Sequence, residues 1–221
     1  MSQIAENFSH IKTGMLKAAL QAGRLPQDVT LVAVSKKQPT DKIYDALNTG
    51  HRVFGENRVQ DAMTVWSPIK KTYPDIQLHL IGSLQTNKVK EAVSFFDVIE
   101  TLDREKLVDA LADEMRRQNK NIPCFIQVNT GEEPQKSGVS PAGLPGLIAY
   151  ARQEGLTIQG LMCIPPEQEP SGLYFAFLSK LAAQHGLASL SMGMSGDFEK
   201  AIALGATHIR VGTALFGVRT S

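Results

Sequence analysis

Eight short apolar runs, each followed by a stretch of different periodicity, constrain the fold of this chain more than any other feature. They are VTLVAV (Val29 to Val34), HRVFG (His51 to Gly55), IQLHLIG (Ile76 to Gly82), FFDVIE (Phe95 to Glu100), PCFIQVN (Pro123 to Asn129), TIQGLMCI (Thr157 to Ile164), ASLSMG (Ala188 to Gly193) and THIRVG (Thr207 to Gly212). Between them, apolar residues fall at helical spacing: Ile43, Ala46 and Leu47; Leu107, Leu111 and Met115; Leu144, Leu147, Ile148 and Ala151; Ala201, Ile202 and Leu204. Ahead of the first run, Ile4, Phe8, Ile11, Met15, Leu16 and Leu20 stripe one more helix, which Pro26 is expected to close. Strands alternating with helical segments imply parallel βαβ units, and several runs are too apolar for a sheet covered on one face only. Eight units point to an α/β fold, a single (β/α)8 barrel, compact beside the usual size of about 250 residues. An open, doubly wound sheet is the alternative arrangement. The Pro/Glu-rich stretch Pro165 to Gly172 is too short to be a linker and reads as a loop after the sixth strand, so one domain over residues 1–221 is expected.

Composition narrows the function. The chain carries 23 Lys+Arg against 22 Asp+Glu, a net charge of +1, which provides no footprint for a nucleic-acid backbone. The N-terminal segment places Glu6 and Lys12 where a leader would need an apolar stretch, and no segment approaches the roughly 20 apolar residues of a membrane span. A soluble cytoplasmic monomer with no nucleic-acid or membrane partner is the expectation. Cys124 and Cys163 sit singly inside apolar runs and read as reduced core thiols. His10, His51, His79, His185 and His208 form no HxH or HxxxH pair, so no metal site is expected. His79, inside the third run, reads as a satisfied core histidine or as one facing a pocket.

In a barrel of this kind chemistry belongs at the C-terminal ends of the strands, and the residues there are polar: Ser35, Lys36 and Lys37; Glu56 and Asn57; Ser83, Gln85, Thr86 and Asn87; Asn129 and Thr130. After the seventh run the turn Met194, Ser195, Gly196 leads to Asp197 and a helix, and after the eighth Gly212 and Thr213 open a short apolar segment. Exposed N–H groups at helix starts, glycines that let backbone approach, and a hydroxyl from Ser195 or Thr213 make an anion site. Phosphate held by the loops after strands seven and eight is a recurring use of this barrel. The same residues also fit a simpler reading, with Ser195 capping the helix at Asp197. Lys36 fits two roles as well: a solvated pair with Lys37, or an amine aimed into the mouth and made nucleophilic by desolvation and a neighbouring cation. A phosphate site and such a lysine across one mouth together fit a phosphorylated aldehyde.

The stretches LVAVSKKQP, VFGENRVQDA, HLIGSLQTNKVK, VNTGEEPQKSGV, GLMCIP and SLSMGMSGDFEKAIALGATHIRVGTALFG, running in order from Leu31 to Gly217, resemble the pyridoxal phosphate homeostasis protein family. The resemblance implies a barrel similar to the N-terminal domain of alanine racemase, fold type III among pyridoxal 5′-phosphate (PLP) proteins, with PLP held as a Schiff base on Lys36. It places the phosphate on Ser195, Gly196, Gly212 and Thr213, Arg210 beside the pyridine nitrogen, and Asn57 near the ring. Without it, Arg210 also reads as a surface ion pair and Asn57 as a helix cap. Arg58 and Cys163 depart from the family's pattern, where tyrosine and threonine are common. Lys136 in QKSG is a second lysine near the mouth, or a mobile solvated one.

A guanidinium at the ring nitrogen donates a hydrogen bond but does not give up the proton that would make PLP a strong electron sink. With the eighth run this close to Ser221, a second domain of the kind that completes a racemase is not expected. The resemblance therefore implies a protein that holds, buffers or delivers PLP, with apo-PLP enzymes as transient partners and no robust catalysis. A PLP-dependent racemase or lyase is the alternative, and a Schiff-base aldolase or phosphosugar enzyme without PLP is a third.

Overall fold

A computed structural model describes residues 2–217. The chain runs α1 (Gln3–Gln21), β1 (Thr30–Val34), α2 (Thr40–Asn48), β2 (Val53–Glu56), α3 (Val59–Thr72), β3 (Gln77–Leu80), α4 (Val89–Phe95), β4 (Val98–Leu102), α5 (Glu105–Gln118), β5 (Cys124–Gln127), α6 (Leu144–Gln153), β6 (Ile158–Met162), α7 (Ser171–Gln184), β7 (Ser189–Ser191), α8 (Phe198–Ala203), β8 (His208–Val211) and α9 (Thr213–Phe216). All neighbouring strands pair in parallel, in chain order. The first strand closes on the last through Thr30↔His208, Leu31↔Ile209, Val32↔Arg210 and Ala33↔Val211, so the sheet is a closed barrel and the open alternative is excluded. Each of the eight apolar runs overlaps one strand, with β2 and β4 running past theirs to Glu56 and Leu102.

Two further boundaries differ from the sequence reading. The first helix ends at Gln21, well before Pro26. Gly23 there takes φ +67°, a conformation that costs glycine nothing, and the Gly23 and Arg24 amides bond back to Leu20 and Ala19. In FFDVIE, Phe95 is still helical and the Phe96 amide donates to the Ala92 carbonyl at 2.9 Å, closing α4. Asp97 then accepts the Leu78 amide at 2.8 Å, and the strand begins only at Val98.

Alternation along the strands divides the buried side chains into two sets. Leu31, Ala33, Phe54, Leu78, Ile99, Ile126, Leu161, Ile209 and Val211 face outward and merge with Ile43, Leu47, Trp66, Leu111, Phe175 and Ile202 of the helices in one continuous apolar layer. Each large side chain buried there contributes about 1.5–3 kcal/mol. Val32, Val34, Phe125 and Met162 are buried apart from that layer, inside the barrel, and share the interior with polar groups described below. Helix α1 packs on α8 and α9, where Asn7 donates to the Leu215 carbonyl at 2.8 Å and so steadies the segment after the last strand. Cys124 and Cys163 are buried and unpaired with one another, and burial pushes both thiols up to about 12. Among the described residues no helix is long and apolar enough to cross a membrane, and no cluster of His, Cys, Asp and Glu could hold a metal ion.

Candidate functional site

Lys36 stands two residues beyond the end of β1, on a turn that its neighbours brace. The buried Ser35 hydroxyl donates to Glu56 Oε1 at 2.6 Å, the Trp66 indole donates to the same oxygen at 3.1 Å, and the Gln38 amide returns to the Ser35 carbonyl at 3.0 Å. Burial raises the Glu56 carboxyl above its ordinary value, and the hydrogen bonds from Ser35 and Trp66 oppose that rise. Lys37 sits at φ +57°, an uncommon conformation for a residue with a side chain, and is exposed, whereas Lys36 is half-buried. The two lysines are thus not an equivalent solvated pair.

Across the mouth, the β7–α8 and β8–α9 loops are tied by one side chain. Ser195 Oγ accepts the Gly212 amide at 3.3 Å and the Ala214 amide at 3.2 Å. Ser195 therefore caps α9 from the neighbouring loop. The residue at the start of its own helix is Asp197, whose carboxylate accepts the Met194 amide at 2.7 Å. The amides of Ser195, Gly196 and Thr213 have no hydrogen-bond partner among the described residues, which leaves oriented donors at a place that favours negative charge. A Cβ on Gly196 would meet nothing within 4 Å, so open space lies over that backbone. Lys36, Ser195, Gly196, Gly212 and Thr213 line one cavity of about 320 Å³, near the lower end of the range for small-molecule sites.

Arg210 is no surface ion pair. It is 4% exposed, with Nη1 donating to Ser191 Oγ at 2.7 Å and Nη2 to the Cys163 carbonyl at 2.8 Å. Ser191 ends β7 and Cys163 follows β6, and Arg210 itself does not line the cavity that holds Lys36. Ser191 in turn donates to Glu100 Oε2 at 2.6 Å, and His79 Nδ1 lies 2.6 Å from Glu100 Oε1. Burial acts to raise the Glu100 carboxyl, but the His79 ring, the Arg210 charge and the Ser191 hydroxyl outweigh it and bring it down to about 2. His79 is thus a satisfied interior histidine with a charged partner. Glu100 and Ser191, which no strand-end argument singles out, complete the network.

Asn57 is not on the cavity that holds Lys36. It borders a neighbouring groove with Ser83 and Gln85, where its backbone approaches Gly82 so closely that a Cβ there would fall 2.2 Å from the Asn57 carbonyl oxygen. Lys136 is held, with Nζ 2.7 Å from Glu133 Oε2 and 3.2 Å from the Pro165 carbonyl, so it fastens the β5–α6 loop to the β6–α7 loop.

With this geometry in place, similarity to known proteins is informative. The chain is 36% identical over 229 residues to the pyridoxal phosphate homeostasis protein of Escherichia coli K12, covering 99% of this chain and 98% of that one. The chain belongs to the pyridoxal phosphate homeostasis protein family. The member from Vibrio alginolyticus is 38% identical over 230 residues, 99% of either chain, and the family model of the alanine racemase N-terminal domain matches residues 8–220. Among solved structures, PipY from Synechococcus elongatus PCC7942, determined with PLP bound, superposes with a TM-score of 0.85 at 36% identity over 97% of this chain and 100% of that one. Alanine racemase of Clostridium difficile 630 shares the fold, with a TM-score of 0.68 at 13% identity over 95% of this chain and 57% of the racemase. The barrel expected from the eight runs is therefore the barrel of this family.

Proposed function

We propose that this chain is a PLP-binding protein of vitamin B6 homeostasis, built as one cofactor-binding domain, in which Lys36 holds the cofactor covalently and reversibly through its ε-amine. One observation carries this reading: Lys36 and the loop residues Ser195, Gly196 and Thr213, whose amides have no partner among the described residues, share one cavity wall. An aldehyde and a phosphate on one small molecule would meet both. The donor set fits the group, because the loop amides and the Ser195 and Thr213 hydroxyls suit a phosphate dianion, and Gly196 leaves room for it. Gly212 brings the end of β8 against β1, its Cα facing the Val34 carbonyl, so that the phosphate loop and the Lys36 turn stay in register.

Bound there, the cofactor supplies a reactive aldehyde. In this reading Arg210 would face the ring nitrogen and Asn57 would approach the ring from the adjacent groove. A guanidinium keeps its proton at every accessible pH, so Arg210 donates a hydrogen bond to the ring without protonating it. A ring nitrogen that Arg210 does not protonate supports holding and delivery over turnover. The relatives' names, which speak of homeostasis, agree with that assignment. Apo-PLP enzymes are the acceptors this role requires.

Titrating PLP into the purified protein is expected to give a visible absorbance band that saturates at one equivalent and is lost in Lys36→Ala. A colourless wild-type protein would overturn the reading and return the Schiff-base aldolase to consideration. Racemisation or elimination of an amino acid well above the rate with free PLP would instead favour the racemase or lyase alternative. Transfer to an apo-PLP enzyme in the presence of a PLP scavenger distinguishes the two modes of delivery: protected transfer indicates direct hand-over.

A further inference from the structure

The barrel interior carries a charge pair that holding a phosphate and an aldehyde does not require. Arg210 on β8 and Glu100 on β4 stand on opposite sides of the barrel and are joined by the Ser191 hydroxyl of β7, with contacts of 2.7 and 2.6 Å. The polarity of this relay is fixed by its chemistry. A serine hydroxyl has one proton, and an ionised carboxylate can only accept, so Ser191 donates to Glu100 and must present a lone pair to Arg210. His79 occupies the second carboxylate oxygen, and both charged side chains are buried, Glu100 fully and Arg210 nearly so. The guanidinium is then held at two points, Ser191 Oγ and the Cys163 carbonyl, and the rest of its rigid fork makes no hydrogen bond among the described residues.

We infer that Glu100 is a positioning residue which, through Ser191, fixes the Arg210 guanidinium against the ring-nitrogen side of the site, so that the protein selects phosphorylated aldehydes bearing an aromatic nitrogen acceptor. This rests on the PLP-binding reading of the same site. Without the carboxylate, Ser191 is free to turn its proton elsewhere, Arg210 loses its nearest counter-charge in a dry interior, and the fork is no longer aimed. The phosphate anchor stands on other residues and is unaffected.

The test uses the full chain in four forms: wild type, Glu100→Gln, Arg210→Gln and the double variant, with Ser191→Ala as a milder break of the same relay in case Glu100→Gln fails to fold. PLP affinity is expected to fall about tenfold or more in Glu100→Gln and in Ser191→Ala, the scale of one lost charge-assisted hydrogen bond. Affinity for inorganic phosphate should not change. Glu100→Gln should add little to the loss in Arg210→Gln, because both remove the same contact. Unchanged PLP affinity in the single variants, equal losses for phosphate and PLP, or additive losses in the double variant would overturn the proposal. A readout without cofactor separates the two levels of the argument: the Arg210 side-chain NMR signals are expected to be sharp in the apo wild type and broadened or lost in Ser191→Ala. If the wild type fails to bind PLP while those signals respond as expected, the functional reading fails and the positioning role of Glu100 stands; sharp signals in both proteins defeat the positioning role itself.

Discussion

The same strands supply two cores of opposite character. On β8, Ile209 and Val211 point outward into the apolar layer under the helices, while His208 and Arg210 point into the barrel and meet polar partners. The outer layer is continuous and unspecific in chemistry, so it holds the barrel closed whatever the mouth does. The inner set mixes Val32, Val34, Phe125 and Met162 with a few polar and charged groups, of which His79, Glu100, Ser191 and Arg210 are joined in one hydrogen-bonded network. Stability and recognition are thus assigned to alternate residues of single strands, and a substitution should disturb one of them while leaving the other nearly intact.

Phe175→Ala in α7 tests the outer set, because its ring is fully buried in the helix–strand layer. The expected loss is about 3–5 kcal/mol in urea unfolding, with PLP affinity of the folded fraction unchanged. A large fall in affinity would break the separation. Acid stability samples both sets at once. Burial lowers His51, which packs between Phe8 and Phe54 outside the barrel, from 6.5 to about 4, and lowers His208 inside it to about 4 as well. Between those values the unfolded chain binds protons that the folded chain refuses. Stability contributed by each ring is therefore complete above pH 6.5 and is lost as pH falls towards 4, by about 3 kcal/mol at most per ring. Denaturation curves between pH 7 and pH 4 should show this slope, and His51→Gln should remove roughly half of it.

Ser195→Ala acts on the mouth alone. Removing the hydroxyl that accepts the Gly212 and Ala214 amides should weaken inorganic phosphate and PLP alike by about tenfold while costing about 1 kcal/mol of stability. Equal binding by the variant would mean that the loops hold the anion without their tie. Smallest of all should be Lys136→Ala, which releases a partly exposed ion pair with Glu133, an interaction worth at most about 1 kcal/mol. Its expected signature is faster amide exchange in the β5–α6 and β6–α7 loops with the unfolding midpoint nearly unchanged.

The outer set was legible in the sequence because it repeats. Apolar runs bounded by turns located all eight strands, and stripes such as Leu107, Leu111 and Met115 located helices. The ends of elements were less legible where local capping decides them, as at Gly23 and Phe96. Lys36, Ser195, Gly196, Gly212 and Thr213 stood out because strand ends in this architecture face one mouth, and the structure brings them to one cavity. Glu100 and Ser191 did not stand out. In a linear reading each is a polar interruption of an apolar run, and only closure of the barrel brings residues 91 positions apart within 2.6 Å. Ser195 gave no sign of its true partners for the same reason, since its acceptor role spans two loops that meet only once β7 pairs with β8. Asn57 shows the converse, a motif position that reads as part of the site and lies one groove away from Lys36.

The central claim is that the turn after β1 holds the cofactor while the loops after β7 and β8 hold its phosphate. Reduction of the PLP-loaded protein with borohydride, followed by peptide mass mapping, tests it most directly. The predicted result is a single pyridoxyl adduct on the peptide containing Lys36, displaced stoichiometrically when excess inorganic phosphate competes before reduction. An adduct on Lys37, Lys136 or scattered surface lysines, with the Lys36 peptide unmodified, would contradict the account.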